Sequence, residues 1–222
     1  MPLNKTKGDM YNWLDYTFNV VKGECPHGCH YCYMKKWGEQ PPLHFDEKEL
    51  KTDLGKDNFI FVGSSCDMFA DEIPTWWIFD TLKHLSSYNN KYLFQSKNPS
   101  RIKHLMPYLP TGSIIGTTIE TNRIYDEMGN TPTPRTRSRS MAQISRLFDV
   151  MVTIEPIMDF NLKQLLMIIK GCNPKWVNIG ANTNHKIKLA EPSPAKVMAL
   201  IDRLGEHTKV KIKSNLKRLM VR

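Results

Sequence analysis

Residues 24–33 read Glu-Cys-Pro-His-Gly-Cys-His-Tyr-Cys-Tyr and contain three of the five cysteines, Cys25, Cys29 and Cys32. Three thiolates with the spacing C-x₃-C-x₂-C can each bind a different iron of one [4Fe–4S] cluster, which leaves the fourth iron without a protein ligand. The open iron is then a place for a substrate or cofactor to bind. The alternative is a zinc site that uses His27 or His30 as a further ligand. Zinc modules usually pair two cysteine hooks, and the sequence has no second hook.

The composition is that of an ordinary globular protein with a basic surplus. The chain has 222 residues, of which 41% are hydrophobic and 24% charged, and its net charge is +9 with a pI of about 9.3. We predict one domain over 1–222, with a lead-in at 1–14 and a basic tail at 209–222. The charge favours a polyanionic partner, nucleic acid first, although a solvated basic surface would look the same. With no membrane-spanning run, no signal peptide and an odd number of cysteines, we expect a cytoplasmic protein with reduced thiols.

Apolar runs and helical patterns alternate along the chain. We predict strands at 16–21, 59–62, 92–94, 113–119, 150–154 and 176–179, with an extra C-terminal strand at 210–212. Helices are predicted at 75–87, 98–108, 140–148, 162–170 and 194–204, with shorter ones within 31–38 and 47–54, and a long polar loop at 121–139. This order implies an α/β fold with a parallel sheet and right-handed crossovers. In such folds the chemistry lies at the carboxyl ends of the strands.

The cysteine stretch resembles the signature of the radical S-adenosylmethionine (SAM) superfamily, C-x₃-C-x-φ-C, with Tyr31 as the aromatic φ. The resemblance implies a partial (β/α)₆ TIM-like barrel with a [4Fe–4S] cluster in the loop after the first strand. It further implies SAM on the open iron and an electron donor such as flavodoxin or ferredoxin. Reduction then cleaves SAM to methionine and a 5′-deoxyadenosyl radical, which abstracts hydrogen from a substrate.

The predicted strand ends carry polar side chains that suit a zwitterionic, hydroxyl-rich cofactor. Lys97 suits the methionyl carboxylate of SAM, Thr118 a hydrogen bond to it, and Glu120 the ribose hydroxyls. The alternative role for Glu120 is a salt bridge or a helix cap. The alternative role for Glu155 and Asn182 is a turn or a cap. The predicted cofactor-binding residues are Tyr31, Ser64, Ser65, Asp67, Ser96, Lys97, Thr118, Glu120, Glu155 and Asn182.

Local motifs within residues 16–122 resemble spore photoproduct lyases, a family of radical SAM enzymes that repair a thymine dimer in DNA. These motifs are residues 28–33 (GCHYCY), 64–67 (SSCD) and 96–97 (SK). The likeness implies that Cys66 returns a hydrogen atom to the product radical and that Tyr31 and Tyr33 relay it. The alternative for Cys66 is a buried small hydrophobic residue. The chain is shorter than that family and lacks one residue between the cysteine and the acid. Small radical SAM proteins carried by phages share more of the layout.

Basic residues provide candidate contacts for nucleic acid. Arg123, Arg135, Arg137 and Arg139 lie on or beside the predicted loop, and Lys213 lies in the tail. Arginines can hold phosphates bidentately, but a solvated charge run or a solvated strand edge is the alternative. The sequence therefore predicts a radical SAM enzyme with a nucleic acid or nucleotide substrate and lyase-like repair or modification chemistry. A radical enzyme for a peptide or small molecule remains open, and so does a zinc- or cluster-bearing nucleic-acid-binding module.

Overall fold

The structure is a computed structural model that describes residues 3–6, 10–184 and 186–221. Parts of the predicted lead-in, at 1–2 and 7–9, and the last residue of the predicted tail lie outside these ranges. The strands of the described residues are β1 (Asn4–Lys5), β2 (Tyr16–Phe18), β3 (Val21–Lys22), β4 (His44–Phe45), β5 (Phe59–Val62), β6 (Lys91–Gln95), β7 (Ile114–Thr118), β8 (Asp149–Ile154), β9 (Trp176–Ile179) and β10 (Lys209–Ile212).

Eight of these strands form one sheet in the order β1-β2-β5-β6-β7-β8-β9-β10. The neighbours from β2 to β10 are parallel, and β1 joins the edge antiparallel to β2. The predicted α/β fold is confirmed as a partial TIM-like barrel, with β10 as the extra C-terminal strand. The helices that cover the sheet are α1 (Thr75–Ser86), α2 (Pro99–Leu105), α3 (Pro134–Ile144), α4 (Leu162–Gly171) and α5 (Pro194–Gly205). Within the described residues, no helix combines the length and apolar character needed to cross a membrane.

The crossover from β2 to β5 differs from the prediction because it contains no α-helix in the part that the structure describes. Two short 3₁₀ turns, Tyr33–Trp37 and Glu47–Lys51, take the place of the helices expected within 31–38 and 47–54. Gly38 ends the first turn with a φ of 89°, a conformation that favours glycine. Strands β3 and β4 then pair antiparallel as a separate ribbon.

Helix α3 begins earlier than predicted and shortens the polar loop that was expected at 121–139. Thr133 is its N-cap, with Oγ1 accepting a hydrogen bond from the backbone N–H of Thr136 at 3.2 Å. Pro134 occupies the first helical turn, where its fixed φ and missing N–H cost nothing. The Thr-Pro pair is thus a helix start, and three of the four arginines assigned to a loop are helical.

The two faces of the sheet bury different layers. Side chains that point outward from the barrel, such as Ile60, Phe94 and Val152, pack under the helices in the main core. Inward-pointing Phe61, Leu93 and Met151 form a second cluster, into which residues 10–14 insert. The inner face becomes polar towards the carboxyl ends of the strands, and there the barrel opens into a cavity.

Candidate active site

Cys25, Cys29 and Cys32 border one cavity of about 570 Å³ at the carboxyl ends of the parallel strands. All three are free thiols; Cys29 is buried, and Cys25 and Cys32 are half-buried. The loops after β5, β6, β8 and β9 supply other parts of the wall. The loop that follows the first parallel strand therefore faces the end of the barrel where the sequence predicted the chemistry.

Short-range hydrogen bonds fold the cysteine loop into two consecutive turns. The backbone N–H of Gly28 donates to the Cys25 carbonyl at 3.0 Å, and that of Cys32 donates to the Cys29 carbonyl at 3.3 Å. Gly28 has a φ of 62°, in the left-handed region that glycine tolerates best. The loop thereby turns successive thiols towards the same cavity.

His27 and Asp67 tie the cysteine loop to the loop after β5. Their side chains are only 5% and 10% exposed, and Nε2 of His27 lies 2.8 Å from Oδ2 of Asp67. Burial alone would lower the pKa of His27, but the hydrogen bond and charge of Asp67 outweigh it and raise the pKa. His27, one candidate zinc ligand, is thus already the partner of a carboxylate, and the other, His30, is exposed to solvent.

Asp67 also organises the loop after β6. Its carboxylate accepts hydrogen bonds from Ser96 Oγ at 2.9 Å and from the backbone N–H of Lys97 at 2.8 Å, besides that of Phe69 at 3.0 Å. Burial would raise the pKa of Asp67, but His27 and the backbone donors lower it. Asp67 and Ser96, both predicted to bind the cofactor, are in this structure the internal link between three loops of the site.

A second segment, residues 125–131, holds the cysteine loop from behind, and we call it the brace. The backbone N–H of His30 donates to the Glu127 carbonyl at 2.9 Å, and that of Asn130 donates to the His27 carbonyl at 2.8 Å. Sγ of Cys29 donates to the Met128 carbonyl at 3.3 Å. The buried Met128 side chain packs in a cluster with Cys29, Tyr31 and Met158.

Gly129 is the point where the two backbones come closest. A Cβ at this position would overlap the carbonyl oxygen of His27 and lie 2.9 Å from the carbonyl carbon of Gly28. Gly129 also has a φ of 63°. Only glycine fits here without moving the cysteine loop.

Tyr31 belongs to a buried network that surrounds Glu120. Lys97 Nζ lies 2.6 Å from both the Tyr31 hydroxyl and Oε1 of Glu120, and Nη1 of Arg137 lies 2.8 Å from Oε2. The Tyr31 hydroxyl also donates to Glu120. Burial would raise the pKa of Glu120, but Arg137 and Lys97 lower it far below its usual range. Burial and the charge of Glu120 raise the pKa of Tyr31.

Two predictions are corrected by this network. Glu120 and Arg137 are both 0% exposed. Both carboxylate oxygens of Glu120 are engaged by protein donors, so the alternative of a salt bridge replaces the predicted contact with ribose. The guanidinium of Arg137 also donates to the carbonyls of Pro132 and Thr118. Arg137 therefore anchors α3 to its neighbours inside the protein and is not a ligand of nucleic acid.

Lys97 lies at the cavity wall, and its contact with SAM stays a prediction. Its ammonium group lies 3.6 Å from Sγ of Cys29 and 4.4 Å from the centre of the Tyr31 ring. Burial would lower the pKa of Lys97, but the negative charge of Glu120 outweighs it and raises the pKa. A fixed cation therefore lies beside the cysteine loop, with its charge balanced from behind by Glu120.

Tyr33 and Cys66 approach the cysteine loop from the side of the loop after β5. The Tyr33 hydroxyl donates to the Ser64 carbonyl, while Asn19 accepts from the Ser64 hydroxyl at 3.2 Å and from the Ser65 N–H at 3.0 Å. Cys66, which is 2% exposed, borders the cavity. The neighbouring Cys66 thiol lowers the pKa of Cys25 to about 6, and Cys25 together with burial raises the pKa of Cys66.

The far wall of the cavity contains the remaining predicted cofactor residues. Thr118 accepts a hydrogen bond from Gln95 at 3.3 Å. Glu155 accepts from Lys213 Nζ and from Asn215 Nδ2, each at 2.8 Å. Lys213 borders the cavity, and its role in binding nucleic acid stays a prediction. Asn182 borders the cavity, but its side chain donates to the Asn184 and Ile187 carbonyls and shapes its own loop.

The other predicted arginines lie away from the cavity lining. Arg123 forms an exposed ion pair with Asp159 at 2.6 Å. Arg135 and Arg139 are exposed on α3, one turn apart. Their role in binding nucleic acid therefore stays a prediction about an outer surface.

Sequence reasoning missed residues that support the site from within the barrel. The Tyr11 hydroxyl donates to Oε1 of Gln95 at 2.8 Å and lies 2.6 Å from Oγ1 of Thr153. These side chains form part of the cavity lining, and Asn19 positions the loop after β5. A polar residue at the end of a predicted strand was the available signal for Gln95, Thr153 and Asn19; Tyr11 had none.

The donor set of the cavity suits an iron–sulfur cluster. Three thiols from one short loop border a common cavity, and the ammonium group of Lys97 lies beside the buried thiol of Cys29. Among the described residues, no three His, Cys, Asp or Glu side chains lie close enough together to hold a single metal ion. The thiols of Cys25, Cys29 and Cys32 suit a cluster in chemistry and placement, and their assignment as its ligands stays a prediction.

Comparison with known structures shows that the chain shares its fold with solved structures of spore photoproduct lyase. One, with AdoMet and dinucleoside spore photoproduct bound, has a TM-score of 0.54 and 10% identity. Another, complexed with dinucleoside spore photoproduct, has a TM-score of 0.55 and 11% identity, and a cysteine-to-alanine variant has 0.58 and 10%.

The likeness covers nearly all of this chain but not all of the lyase. The aligned part is 90 to 93% of this chain and 64 to 66% of the lyase chains. A scan against models of protein families and a search of curated proteins gave no match. At this level of identity the comparison establishes the fold, and the chemistry has to be argued from the site.

Proposed function

We propose that the chain is a radical SAM enzyme that binds a [4Fe–4S] cluster through Cys25, Cys29 and Cys32 and acts on nucleic acid. The observation that carries the proposal is the convergence of these free thiols on a cavity of about 570 Å³ at the carboxyl ends of a partial barrel. Cofactor chemistry in such barrels lies at this end. An oxygen-sensitive cluster requires a reducing compartment, so we propose the cytoplasm, with flavodoxin or ferredoxin as electron donor.

When bound, the cluster and SAM together supply a 5′-deoxyadenosyl radical, and the protein supplies position, charge and exclusion of water. Lys97 presents a cation for the carboxylate of SAM, held in place by Glu120 and Tyr31. Thr118, Ser64 and Ser65 also border the cavity and contribute further polar groups to it. Cys66 offers a weak S–H bond next to Cys25, from which a substrate radical can take a hydrogen atom.

Two observations support nucleic acid as the substrate class. The chain has a net charge of +9, which favours a polyanion. The structures with the same fold include lyase chains complexed with a dinucleoside photoproduct, so a lyase-like repair of DNA is the specific reaction we propose. Action on a peptide or small molecule is the alternative, and it predicts no affinity for DNA.

Anaerobic reconstitution tests the cluster. We expect about four irons with sulfide per chain, against one zinc for a zinc module. Reduction in the presence of SAM should release 5′-deoxyadenosine. Replacing Cys25, Cys29 or Cys32 by alanine should abolish both results. Cys172→Ala should change neither, because Cys172 is a buried cysteine at the C-terminal cap of α4. A normal cluster in all three loop variants would contradict the proposal.

The substrate is tested with dinucleoside spore photoproduct and with DNA that contains it. Repair to the two thymidines, dependent on SAM and reductant, would support a lyase-like reaction. Release of 5′-deoxyadenosine without any change in the DNA would leave the radical SAM assignment intact and reject this substrate.

A further inference from the structure

An exposed aromatic side chain stands at the rim of the cavity. Trp37 is 69% exposed, the largest exposure of any aromatic side chain in the described residues. It borders the same cavity as the three cysteines, together with its neighbour Lys36. Tryptophan is enriched at binding surfaces, so an exposed indole at the rim of a cavity is a candidate contact for a ligand or partner.

The indole is held in a defined orientation. Its ring centre lies 5.7 Å from that of Tyr33, at an interplanar angle of 82°. An edge-to-face contact leaves at least one face of the indole uncovered by Tyr33. The hydroxyl of Tyr33 is fixed in turn by the Ser64 carbonyl. Trp37 therefore presents a flat apolar face beside Tyr33, which is hydrogen-bonded to the loop after β5.

The surroundings of Trp37 are cationic. Lys35 and Lys36 are exposed in the same 3₁₀ turn, and no carboxylate of the described residues forms an ion pair with either. An aromatic face flanked by unpaired lysines is the arrangement by which proteins bind single-stranded nucleic acid, stacking on a base and contacting the phosphates.

We propose that Trp37 is the stacking platform for an unpaired base of the nucleic acid substrate, with Lys35 and Lys36 on the adjoining phosphates. The inference rests on the proposed function for the identity of the substrate and names how the substrate is held. The turn that contains Trp37 begins directly after Cys32. A base stacked there places a neighbouring nucleotide at the cavity, so the substrate is single-stranded or locally opened at the site.

Binding of short oligonucleotides to the reconstituted protein tests the platform. We expect Trp37→Ala to weaken binding of a single strand between about 5-fold and 150-fold, and Trp37→Phe to retain most of the affinity. The matched control is Trp76→Ala: Trp76 is 54% exposed but lies on α1, outside the cavity lining. Lys36→Ala should reduce the slope of log K against log salt by about 0.7.

Tryptophan fluorescence gives an independent signal, because the single strand should quench emission in the wild type and in Trp76→Ala but less in Trp37→Phe. Equal affinities of the Trp37 and Trp76 variants would overturn the proposal, and so would tighter binding of the duplex. Displacement of the oligonucleotide by SAM would also overturn it, since Trp37 would then belong to the cofactor site. Release of 5′-deoxyadenosine without DNA tests the proposed function separately.

Discussion

At the scale of single residues, the most consequential side chain is the buried carboxylate of Glu120. It forms ion pairs with Lys97 and Arg137, and its negative charge balances these two cations inside the protein. A buried ion pair adds little over a well-packed apolar pair, but removing one member leaves an uncompensated charge. The stability of the site therefore depends on Glu120, although its side chain is fully buried behind the cavity-lining Tyr31 and Lys97.

We expect Glu120→Gln to lower the free energy of unfolding by roughly 3–5 kcal/mol at neutral pH. Urea denaturation measures this loss. The control is Asp149→Asn, whose pair with Lys175 is exposed and should cost less than about 1 kcal/mol. Equal effects of the two variants would contradict the role of Glu120.

The same residue predicts a pH dependence. The pKa of Glu120 is lowered in the folded protein, whereas in the unfolded chain it is about 4.3. Its contribution is therefore complete above the unfolded pKa and is lost as the pH falls towards the folded value. The difference in stability between the wild type and Glu120→Gln should stay constant from neutral pH to about pH 5 and shrink below about pH 4. A difference that grows on acidification would refute this assignment.

Cys66 is the other decisive residue, and serine separates its two possible roles. Cys66→Ser keeps a hydrogen-bond donor beside Cys25 but replaces the weak S–H bond with a strong O–H bond. If Cys66 donates hydrogen atoms, Cys66→Ser and Cys66→Ala should both form 5′-deoxyadenosine and shift the products from repaired to abortive species. If the role is only structural, the serine variant should restore the normal products, as product analysis by mass spectrometry would show.

At the scale of elements, the brace and the cysteine loop form one unit. We expect Gly129→Ala to reduce the iron content after reconstitution well below that of the wild type, because the added Cβ would displace the backbone of His27 and Gly28. Gly112→Ala is the matched control: Gly112 has a similar positive φ of 76° but open space around its Cα. Both variants suffer backbone strain of about 1–2 kcal/mol, so only the contact distinguishes them. Equal iron contents would show that the brace does not position the loop.

At the scale of the whole molecule, residues 10–14 fill the interior of the barrel. Trp13 packs against Phe59 and Trp176, with ring centres 4.8 and 5.5 Å away, and Tyr11 forms part of the cavity wall. Tyr11→Phe should lower the free energy of unfolding by about 1–2 kcal/mol, since Gln95 and Thr153 lose a partner inside the protein. Tyr108→Phe, at a residue that is 55% exposed, should be neutral in the same denaturation experiment.

Patterns that are local in sequence predicted much of the molecule. Short apolar runs such as 59–62 and 150–154 marked buried strands, and the cysteine spacing identified the loop and the end of the barrel. The features that could not be predicted depend on contacts between residues that are far apart in the sequence. The burial of Arg137 follows from α3 packing near Glu120, and the need for glycine at 129 follows from a backbone that passes the cysteine loop. Neither contact leaves a trace in a single sequence.

The brace has a consequence for the order of events during synthesis. Cys29 and Met128 are 99 residues apart, and Met158 completes their cluster later still. Ribosome-arrested chains that end before the brace should therefore take up little iron in reconstitution, whereas arrested chains that expose all of β9 should take it up. A nascent chain presents its three thiols while most of the barrel is still to be made, so we expect the proposed cluster to be loaded only after the brace has been synthesised and has fixed the loop.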